Sequence, residues 1–166
     1  MPGENVDVLI VEDDRFLSPL LKTRFEREHL TVHQAFDGEE ALKALNEVTP
    51  GIIILDLIMP RVSGFELLET IANDSRLTQI PVIILSNLSQ DSDVKKAKSL
   101  GAIAYFVKVH ASIDELVKLA KEKKISGGGA ASAAPSSPTP EAASEAPSLA
   151  PATPTVSPPE PPKQIT

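Results

Sequence analysis

The chain has 166 residues, a formal net charge of −7 and no cysteine. The lack of cysteine excludes disulfides, thiol nucleophiles and cysteine-based zinc sites, and the negative charge argues against nucleic acid as a partner. The first residues lack the basic and apolar regions of a secretion signal, and no apolar run approaches the roughly 18 residues that span a bilayer. We therefore expect a soluble cytoplasmic protein that does not contact the membrane.

The composition divides the chain into two parts. Residues 1–125 carry nearly all the aliphatic side chains and form the predicted globular domain. Residues 126–166 begin with three glycines and continue mainly as Ala, Pro, Ser and Thr. Such a segment cannot bury enough apolar surface to offset its ordering entropy, which predicts a disordered tail. A spacer is favoured over a docking tail because the segment has no aromatic anchor and no basic cluster.

Apolar periodicity in residues 1–125 predicts five strands that alternate with five helices. The strands are predicted over residues 6–11, 31–36, 52–55, 81–85 and 103–107. The helices are predicted from residue 16 to about 28, from 38 to 48, from 63 onward, from about 91 to 100 and from 112 onward. Five strand–helix units predict a flavodoxin-like, doubly wound α/β fold with a five-stranded parallel sheet of order 2-1-3-4-5 and helices on both faces.

The helices differ in how clearly they show an inward face. Ser63 and Ser112 are good N-caps for the third and fifth helices. The fourth helix is thinly apolar and strongly charged, so we expect it to be held loosely. The side chains predicted to face the core from the first three helices are Leu17, Leu20, Leu21 and Phe25, then Ala41, Leu42, Leu45 and Val48, then Phe65, Leu68, Ile71 and Ala72.

Four of the five predicted strands end in a charged or reactive group. These groups are Glu12 with Asp13, then Asp56, Ser86 and Lys108. Ligands of open α/β sheets bind outside the carboxyl ends of the strands, and the order 2-1-3-4-5 makes the first and third strands neighbours. Glu12, Asp13 and Asp56 are therefore predicted to converge. Each residue alone has a purely structural explanation, such as a helix cap at Asp13 or Asp14 or a solvated strand end at Asp56.

Together, these groups predict phosphoryl chemistry. Three crowded carboxylates repel one another unless a cation or a proton neutralises them. Oxygen ligands without His or Cys favour Mg²⁺ or a similar hard ion. Such an ion makes attack by a carboxylate on a phosphoryl group feasible, and a lysine and a hydroxyl can hold the remaining phosphoryl oxygens. The pattern predicts a phospho-acceptor aspartate.

From about residue 7 to residue 124 the chain resembles the receiver domain of bacterial two-component response regulators. The resemblance rests on four segments, all present in order. They are Val8-Leu-Ile-Val-Glu-Asp-Asp14, Leu55-Asp-Leu-Ile-Met-Pro60 with Gly64, Pro81-Val-Ile-Ile-Leu-Ser86 and Gly101-Ala-Ile-Ala-Tyr-Phe-Val-Lys108. It implies a signalling protein that is not a conventional enzyme but catalyses its own aspartyl phosphorylation and slow dephosphorylation. With no effector domain in the chain, we expect a stand-alone receiver, monomeric or weakly dimeric.

The resemblance also implies a role for each site residue. Asp56 would accept a phosphoryl group from a histidine kinase or phosphotransfer protein. Glu12 and Asp13 would form the acidic pocket for Mg²⁺, with Asp13 the more direct ligand and the main-chain carbonyl of Ile58 an additional one. Lys108 would pair with the phosphoryl group. Ser86 would swing toward it and Tyr105 would follow inward, which would change the surface that an unidentified downstream protein reads.

Two positions depart from the family pattern. Val109 follows the lysine where proline is usual, and Asn87 follows the hydroxyl residue where a small residue is usual. A cis peptide before Val costs roughly 3–4 kcal/mol, against about 0.5–1 before proline, so we predict a trans Lys108–Val109 bond with the lysine still directed at Asp56. Asn87 is expected to narrow access to an acyl phosphate. Neither Ile58 nor Leu88 can orient a hydrolytic water, which predicts slow hydrolysis.

Three other functions share parts of this pattern. A phosphohydrolase of the haloacid-dehalogenase type needs a second aspartate two residues after the nucleophile, where this chain has Ile58. A flavin-binding module needs a loop of N–H donors after the first strand, where Glu12-Asp13-Asp14 would repel phosphate. A phosphorylation-independent scaffold remains an alternative, although every site group of the family is present.

Overall fold

The computed structural model describes residues 6–125, which form five strands alternating with five helices. The strands are β1 (Val8–Val11), β2 (Val32–Ala35), β3 (Ile52–Leu55), β4 (Val82–Ser86) and β5 (Ala102–Val107). The helices are α1 (Leu17–Glu26), α2 (Gly38–Glu47), α3 (Gly64–Asn73), α4 (Asp91–Ser99) and α5 (Ile113–Lys123). None of these helices is long and apolar enough to cross a membrane. The tail predicted over 126–166 lies outside the described residues.

The five strands form one parallel sheet in the order β2-β1-β3-β4-β5, which confirms the flavodoxin-like prediction. Every residue of β1 and β3 is buried, because these central strands are covered on both faces. Successive side chains along β1 point to opposite faces of the sheet. Leu9 and Val11 pack in the layer that includes residues of α2, α3 and α4, whereas Val8 and Ile10 pack with residues of α1 and α5.

Side-chain caps define several helix starts. Asp37 caps α2 by accepting a 2.8 Å hydrogen bond from the backbone N–H of Glu40. Ser63 begins α3 in a reciprocal capping box with Glu66, as its position before the apolar face predicts. Ser112 caps α5 by a one-way contact, in which its side-chain oxygen accepts a hydrogen bond from the backbone N–H of Glu115. These caps satisfy N–H groups that have no partner inside the helix, so they determine where each helix starts relative to its preceding loop.

Some inward-facing predictions are wrong. Leu20 is 54% exposed, whereas Leu21 is completely buried. Helical spacing after Leu17 allowed both positions, and the contact of α1 with the sheet selects the stripe that contains Leu21 and Phe25. Val48 is not helical, because α2 ends at Glu47 and the backbone then becomes extended. In α3, Phe65 is half-buried but packs against the core, as predicted, whereas Ala72 is only half-buried and the fully buried Leu67 lies outside the predicted set. Strand ends also differ from the predictions by one or two residues.

Candidate functional site

The register of the sheet brings the predicted acidic residues together. Val11 of β1 pairs with Leu55 of β3, so the chain reaches Glu12 and Asp56 at the same level on two adjacent strands. On the other side of β3, β4 ends at Ser86, which pairs with Val107 of β5. The backbone N–H of Lys108 then donates to the Ser86 carbonyl at 2.9 Å. All four strand ends therefore meet at one edge of the sheet.

Lys108 joins two of the carboxylates directly. Its Nζ lies 2.5 Å from Asp56 Oδ2 and 2.7 Å from Glu12 Oε1. Both carboxylates are buried, with 4% of Asp56 and 2% of Glu12 exposed. Asp13 is exposed, and one carboxylate oxygen from each of Glu12, Asp13 and Asp56 lies within 4.8 Å of the others. The predicted acidic cluster and the predicted direction of Lys108 are both present.

The charges of this cluster do not balance. Burial alone would lower the pKa of Lys108, but its hydrogen bonds to Asp56 and Glu12 outweigh burial and raise it. Burial raises the pKa of Glu12 above its usual value, although Lys108 acts in the opposite direction. One ammonium faces three carboxylates when all are ionised, which leaves an excess of negative charge. The donor set consists of hard oxygens and fits Mg²⁺ or a similar divalent ion.

The loop between β3 and α3 folds back over Asp56. The backbone N–H of Ile58 donates to Asp56 Oδ1 at 3.0 Å, so the main chain at this predicted ligand position lies against the acidic cluster. Gly64 closes the loop, with its N–H donating to the Leu57 carbonyl at 3.1 Å. A Cβ at Gly64 would lie 2.0 Å from the Asp56 carbonyl oxygen, so only glycine allows this approach.

Asp14 has a structural role outside the cluster. Its Oδ1 accepts hydrogen bonds from the backbone N–H groups of Phe16, at 2.8 Å, and Leu17, at 3.1 Å. These bonds lower the pKa of Asp14, with the Phe16 bond the largest contribution. Of the two aspartates considered as caps for the first helix, Asp14 is therefore the one that caps it. Asp13 stays directed to the cluster.

Ser86 and Tyr105 lie at the β4 side of the site. Ser86 is completely buried at the last position of β4. The Tyr105 hydroxyl donates to the Leu88 carbonyl at 2.8 Å, which ties the middle of β5 to the loop after β4. Burial raises the pKa of Tyr105, and the negative charge of Asp93 adds to the effect. The phenol therefore stays protonated and can donate this bond at neutral pH.

The two departures from the family pattern lie beside Lys108. No peptide bond in residues 6–125 is cis, so the Lys108–Val109 bond is trans, as predicted, and Lys108 still reaches Asp56. Val109 is 75% exposed. Asn87 and Val109 line a shallow groove of about 430 Å³ beside Lys108, together with Asp14 and three apolar residues of the α1 region, Phe16, Leu17 and Leu20.

Sequence reasoning missed two residues beside the site. Arg61, in the loop between β3 and α3, has a positive φ of 67° and forms an ion pair with Asp37 at the start of α2. In the sequence, Asp37 and Gly38 indicate only the start of the helix predicted from residue 38. The sequence gives only a weak signal that Arg61 pairs with Asp37, because an arginine in a loop is ordinarily a solvated charge. Asp37 and Arg61 are 24 positions apart, and only the folded chain shows that they meet.

Comparison with known proteins identifies a family. The sequence model of the response regulator receiver domain matches residues 8–121. Response regulator GtcR of Aneurinibacillus migulanus is 32% identical over 112 residues, which cover 68% of this chain and 45% of GtcR. Regulator of RpoS of Escherichia coli K12 is 40% identical over 94 residues, covering 57% of this chain and 27% of that protein. This chain thus spans less than half the length of these curated relatives.

Solved structures give the same result. The receiver domain of the Francisella response regulator 1452 is 33% identical, with a TM-score of 0.66, and the match covers 71% of this chain and 95% of that one. Response regulator TrrA of Thermotoga maritima, solved in complex with Mg²⁺ and BeF, is 30% identical with a TM-score of 0.61. That match covers 70% of this chain and 97% of TrrA.

Proposed function

The chain belongs to the family of response regulator receiver domains, and we propose that it is a phospho-acceptor protein of a two-component system. Asp56 accepts a phosphoryl group from a histidine kinase or a phosphotransfer protein in a Mg²⁺-dependent reaction. The observation that carries this proposal is the position of Asp56. It is buried, its Oδ2 is 2.5 Å from the Lys108 ammonium, and it lies within an acidic cluster that one lysine does not neutralise.

The transfer requires a nucleophile and a group that stabilises charge. An Asp56 carboxylate oxygen attacks the phosphorus of a phosphohistidine while the bond from phosphorus to the imidazole nitrogen breaks. The leaving imidazole takes up a proton. Lys108 Nζ, which already contacts Asp56 Oδ2, stabilises the charge on the transferred phosphoryl oxygens. Ser86 supplies a hydroxyl from the neighbouring strand end. The hydrogen bond from the Ile58 N–H keeps Asp56 oriented.

The donor set is suited to one Mg²⁺ ion. Asp13, Asp56 and the main-chain carbonyl of Ile58 would hold it directly, and Glu12 would complete the acidic pocket. When bound, the ion supplies positive charge that offsets both the crowded carboxylates and the incoming phosphoryl oxygens. TrrA, 30% identical, was solved in complex with Mg²⁺ and BeF, and its likeness supports the same pocket here.

Phosphorylation is proposed to act through a switch on the β4–β5 side. Ser86 moves toward the phosphoryl group, and Tyr105 exchanges its present bond to the Leu88 carbonyl for a more buried position. That movement alters the surface of α4, β5 and α5. Only one residue of α4, Ala97, is buried, so little packing opposes such a change. A downstream protein that binds this surface is the proposed output.

The proposal is tested by mass spectrometry after incubation with Mg²⁺ and a small phosphodonor such as acetyl phosphate. The wild type should gain one phosphoryl group, and Asp56→Asn should gain none. Asp91→Asn is a matched control, since Asp91 is an exposed aspartate at the start of α4. A phosphoryl group that persists in Asp56→Asn would overturn the assignment. A wild type that gains none would favour the phosphorylation-independent scaffold, and sustained turnover of a phosphate ester would favour the phosphohydrolase.

A further inference from the structure

The turn between β2 and α2 contacts both loops that carry the proposed Mg²⁺ ligands. We call this turn, made of Phe36 and Asp37 together with Gly38 at the first position of α2, the β2–α2 corner. One loop follows β1 and carries Asp13, and the other follows β3 and carries Ile58. The corner itself contributes no ligand. Its contacts to the two loops involve different residues and different kinds of interaction, so they are independent observations.

The loop after β3 is attached to the corner by charge and by close packing. Arg61 forms an ion pair with Asp37 Oδ2, and the Asp37 side chain is only 4% exposed. Asp37 Oδ1 is occupied by the backbone N–H of Glu40, so the carboxylate is held on both sides. Next to it, a Cβ at Gly38 would lie 2.6 Å from Val62 Cβ. The backbone after Pro60 is therefore placed against the start of α2.

Arg61 adopts an unfavourable backbone conformation at this contact. Its φ of 67° lies in the left-handed region, which side chains other than Gly, Asn and Asp rarely enter. Such a conformation persists when the surrounding contacts determine it, and here the ion pair with Asp37 is that contact. Three residues earlier in the same loop, the Ile58 N–H donates to Asp56 Oδ1. Release of Arg61 would therefore loosen the backbone that places the Ile58 carbonyl.

The loop after β1 reaches the same corner. Arg15 lies over the Phe36 ring, with its Cζ 4.5 Å from the ring centroid. Arg15 is two residues beyond Asp13, and the Phe36 N–H donates to Glu40 Oε2 at 2.7 Å. Phe36 and Asp37 are thus both anchored to the first turn of α2 through Glu40, and each holds one of the two loops.

We infer that the β2–α2 corner sets the spacing of the two metal-binding loops and that Arg61, paired with Asp37, is a positioning residue for Mg²⁺. This inference rests on the proposed function, because it requires that the acidic cluster binds the ion. Charge alone predicts the opposite effect. Removal of a cation from a loop beside the site favours binding of another cation, whereas loss of positioning weakens it. The sign of the change in affinity for Arg61→Gln separates the two explanations, whereas both explanations predict weaker binding for Asp37→Asn.

The test is a calorimetric titration of the full chain with Mg²⁺. Arg61→Gln and Asp37→Asn should each raise the Kd roughly threefold to tenfold, less than the 10–100-fold typical of groups bonded directly to metal ligands. The double variant should be no weaker than either single variant, because both remove one ion pair. Asn retains the capping ability of residue 37, so α2 should stay intact. Arg61→Lys, which keeps the charge and the pair, should remain within about twofold of the wild type.

Arg76→Gln is the matched control. It removes the same charge and also breaks an ion pair with an aspartate, Asp74, but that pair lies just beyond the far end of α3. Its Kd should equal that of the wild type. The variants should also reach the wild-type rate of phosphorylation at saturating Mg²⁺, with only the Mg²⁺ concentration at half-maximal rate increased. Melting temperatures measured without Mg²⁺ should show that every variant is fully folded at the titration temperature, so that a raised Kd does not come from unfolded protein.

The outcomes separate this inference from the proposed function. An Arg61→Gln variant that binds Mg²⁺ as tightly as the wild type, or more tightly, overturns the positioning role and leaves the proposed function standing. An Arg61→Lys variant as weak as Arg61→Gln overturns the ion pair as the cause. The proposed function, and this inference with it, is overturned if the wild type binds no Mg²⁺. Both are also overturned if Asp56→Asn binds Mg²⁺ as tightly as the wild type does.

Discussion

Asn at position 13 should stabilise the protein in the absence of divalent ions. The Asp13 carboxylate faces those of Glu12 and Asp56 within 4.8 Å, while Lys108 is bonded to the other two. None of the hydrogen bonds and ion pairs within residues 6–125 involves the Asp13 side chain. Asp13→Asn keeps the size of the side chain and removes its charge. The variant therefore loses a repulsion and no bonded partner.

The magnitude follows from Coulomb's law. At 4.8 Å, two like charges repel by about 0.9–1.7 kcal/mol for an effective dielectric constant of roughly 40–80, which suits an exposed group. Asp13 meets two carboxylates, and the attraction of Lys108 offsets about one of them. One uncompensated repulsion remains, so the free energy of unfolding should rise by about 1 kcal/mol. For a domain of this size that corresponds to an increase in melting temperature of about 3–6 °C.

Mg²⁺ should reverse the order of stability. Mg²⁺ that binds only the native state raises the free energy of unfolding by RT ln(1 + [Mg²⁺]/Kd), which is about 1.4 kcal/mol when the Mg²⁺ concentration is ten times Kd. The wild type should gain this amount, and Asp13→Asn, which lacks a proposed ligand, should gain little. Thermal and urea melts in EDTA and then across a Mg²⁺ titration measure both effects. Asp91→Asn is the control, and it should be slightly less stable because Asp91 favours the N-terminal dipole of α4.

The result that would refute this reasoning is an Asp13→Asn variant that is less stable than the wild type in EDTA. It would show that Asp13 makes a net favourable interaction and that the acidic cluster is already neutralised without an ion. Raising the salt concentration in EDTA provides a second check. Screening should reduce the advantage of the variant, because exposed like charges repel less at high ionic strength.

Three further outcomes are expected. Gly64→Ala should lower the free energy of unfolding by about 3 kcal/mol or more and impair phosphorylation, because its Cβ would lie 2.0 Å from the Asp56 carbonyl oxygen. Urea melts that show no loss of stability would contradict this. Asp7→Asn should destabilise the folded domain at neutral pH. Burial alone would raise the pKa of Asp7, but its 2.5 Å bond to Lys124 and a hydrogen bond from the Thr31 N–H outweigh burial and lower this pKa. Because the folded pKa is the lower one, this stability is complete above about pH 4 and is lost as pH falls through the folded pKa. The gap between wild type and variant should shrink in acid melts below that pH. The acyl phosphate at Asp56 should decay over minutes or longer in purified protein with Mg²⁺, because the half-exposed Ile58 cannot orient a water, and decay within seconds would argue against this.

Much of the fold is readable from local patterns. Ile52–Leu55 is apolar and β-branched in all but one position, is bounded by Gly51 and Asp56, and forms β3 at the predicted residues. Strand burial on both faces requires such a run, so the pattern and its three-dimensional cause coincide. The helix starts at Ser63 and Ser112 were predictable for the same reason, since a cap acts over only three residues.

Amphipathic spacing alone did not separate Leu20 from Leu21. Both positions satisfy helical periodicity after Leu17, and the choice between them depends on how α1 is rotated against the sheet. Asp13 and Asp14 posed the same problem in the loop before it. Neighbouring aspartates are chemically identical, and only the path of the backbone assigned Asp14 to the helix cap and Asp13 to the cluster.

The chemistry of the site was encoded in residue type and in position along the strands. Glu12, Asp56 and Lys108 each follow an apolar run, and parallel strands place such residues at one edge whatever the details of packing. The pairing of Arg61 with Asp37 had no comparable local signal. It depends on a left-handed backbone at Arg61 and on the close approach of Val62 to Gly38, and both arise only when the loop after β3 packs on the start of α2. Periodicity determines which residues lie at the edge of the sheet, whereas long-range packing determines which loops hold them in place.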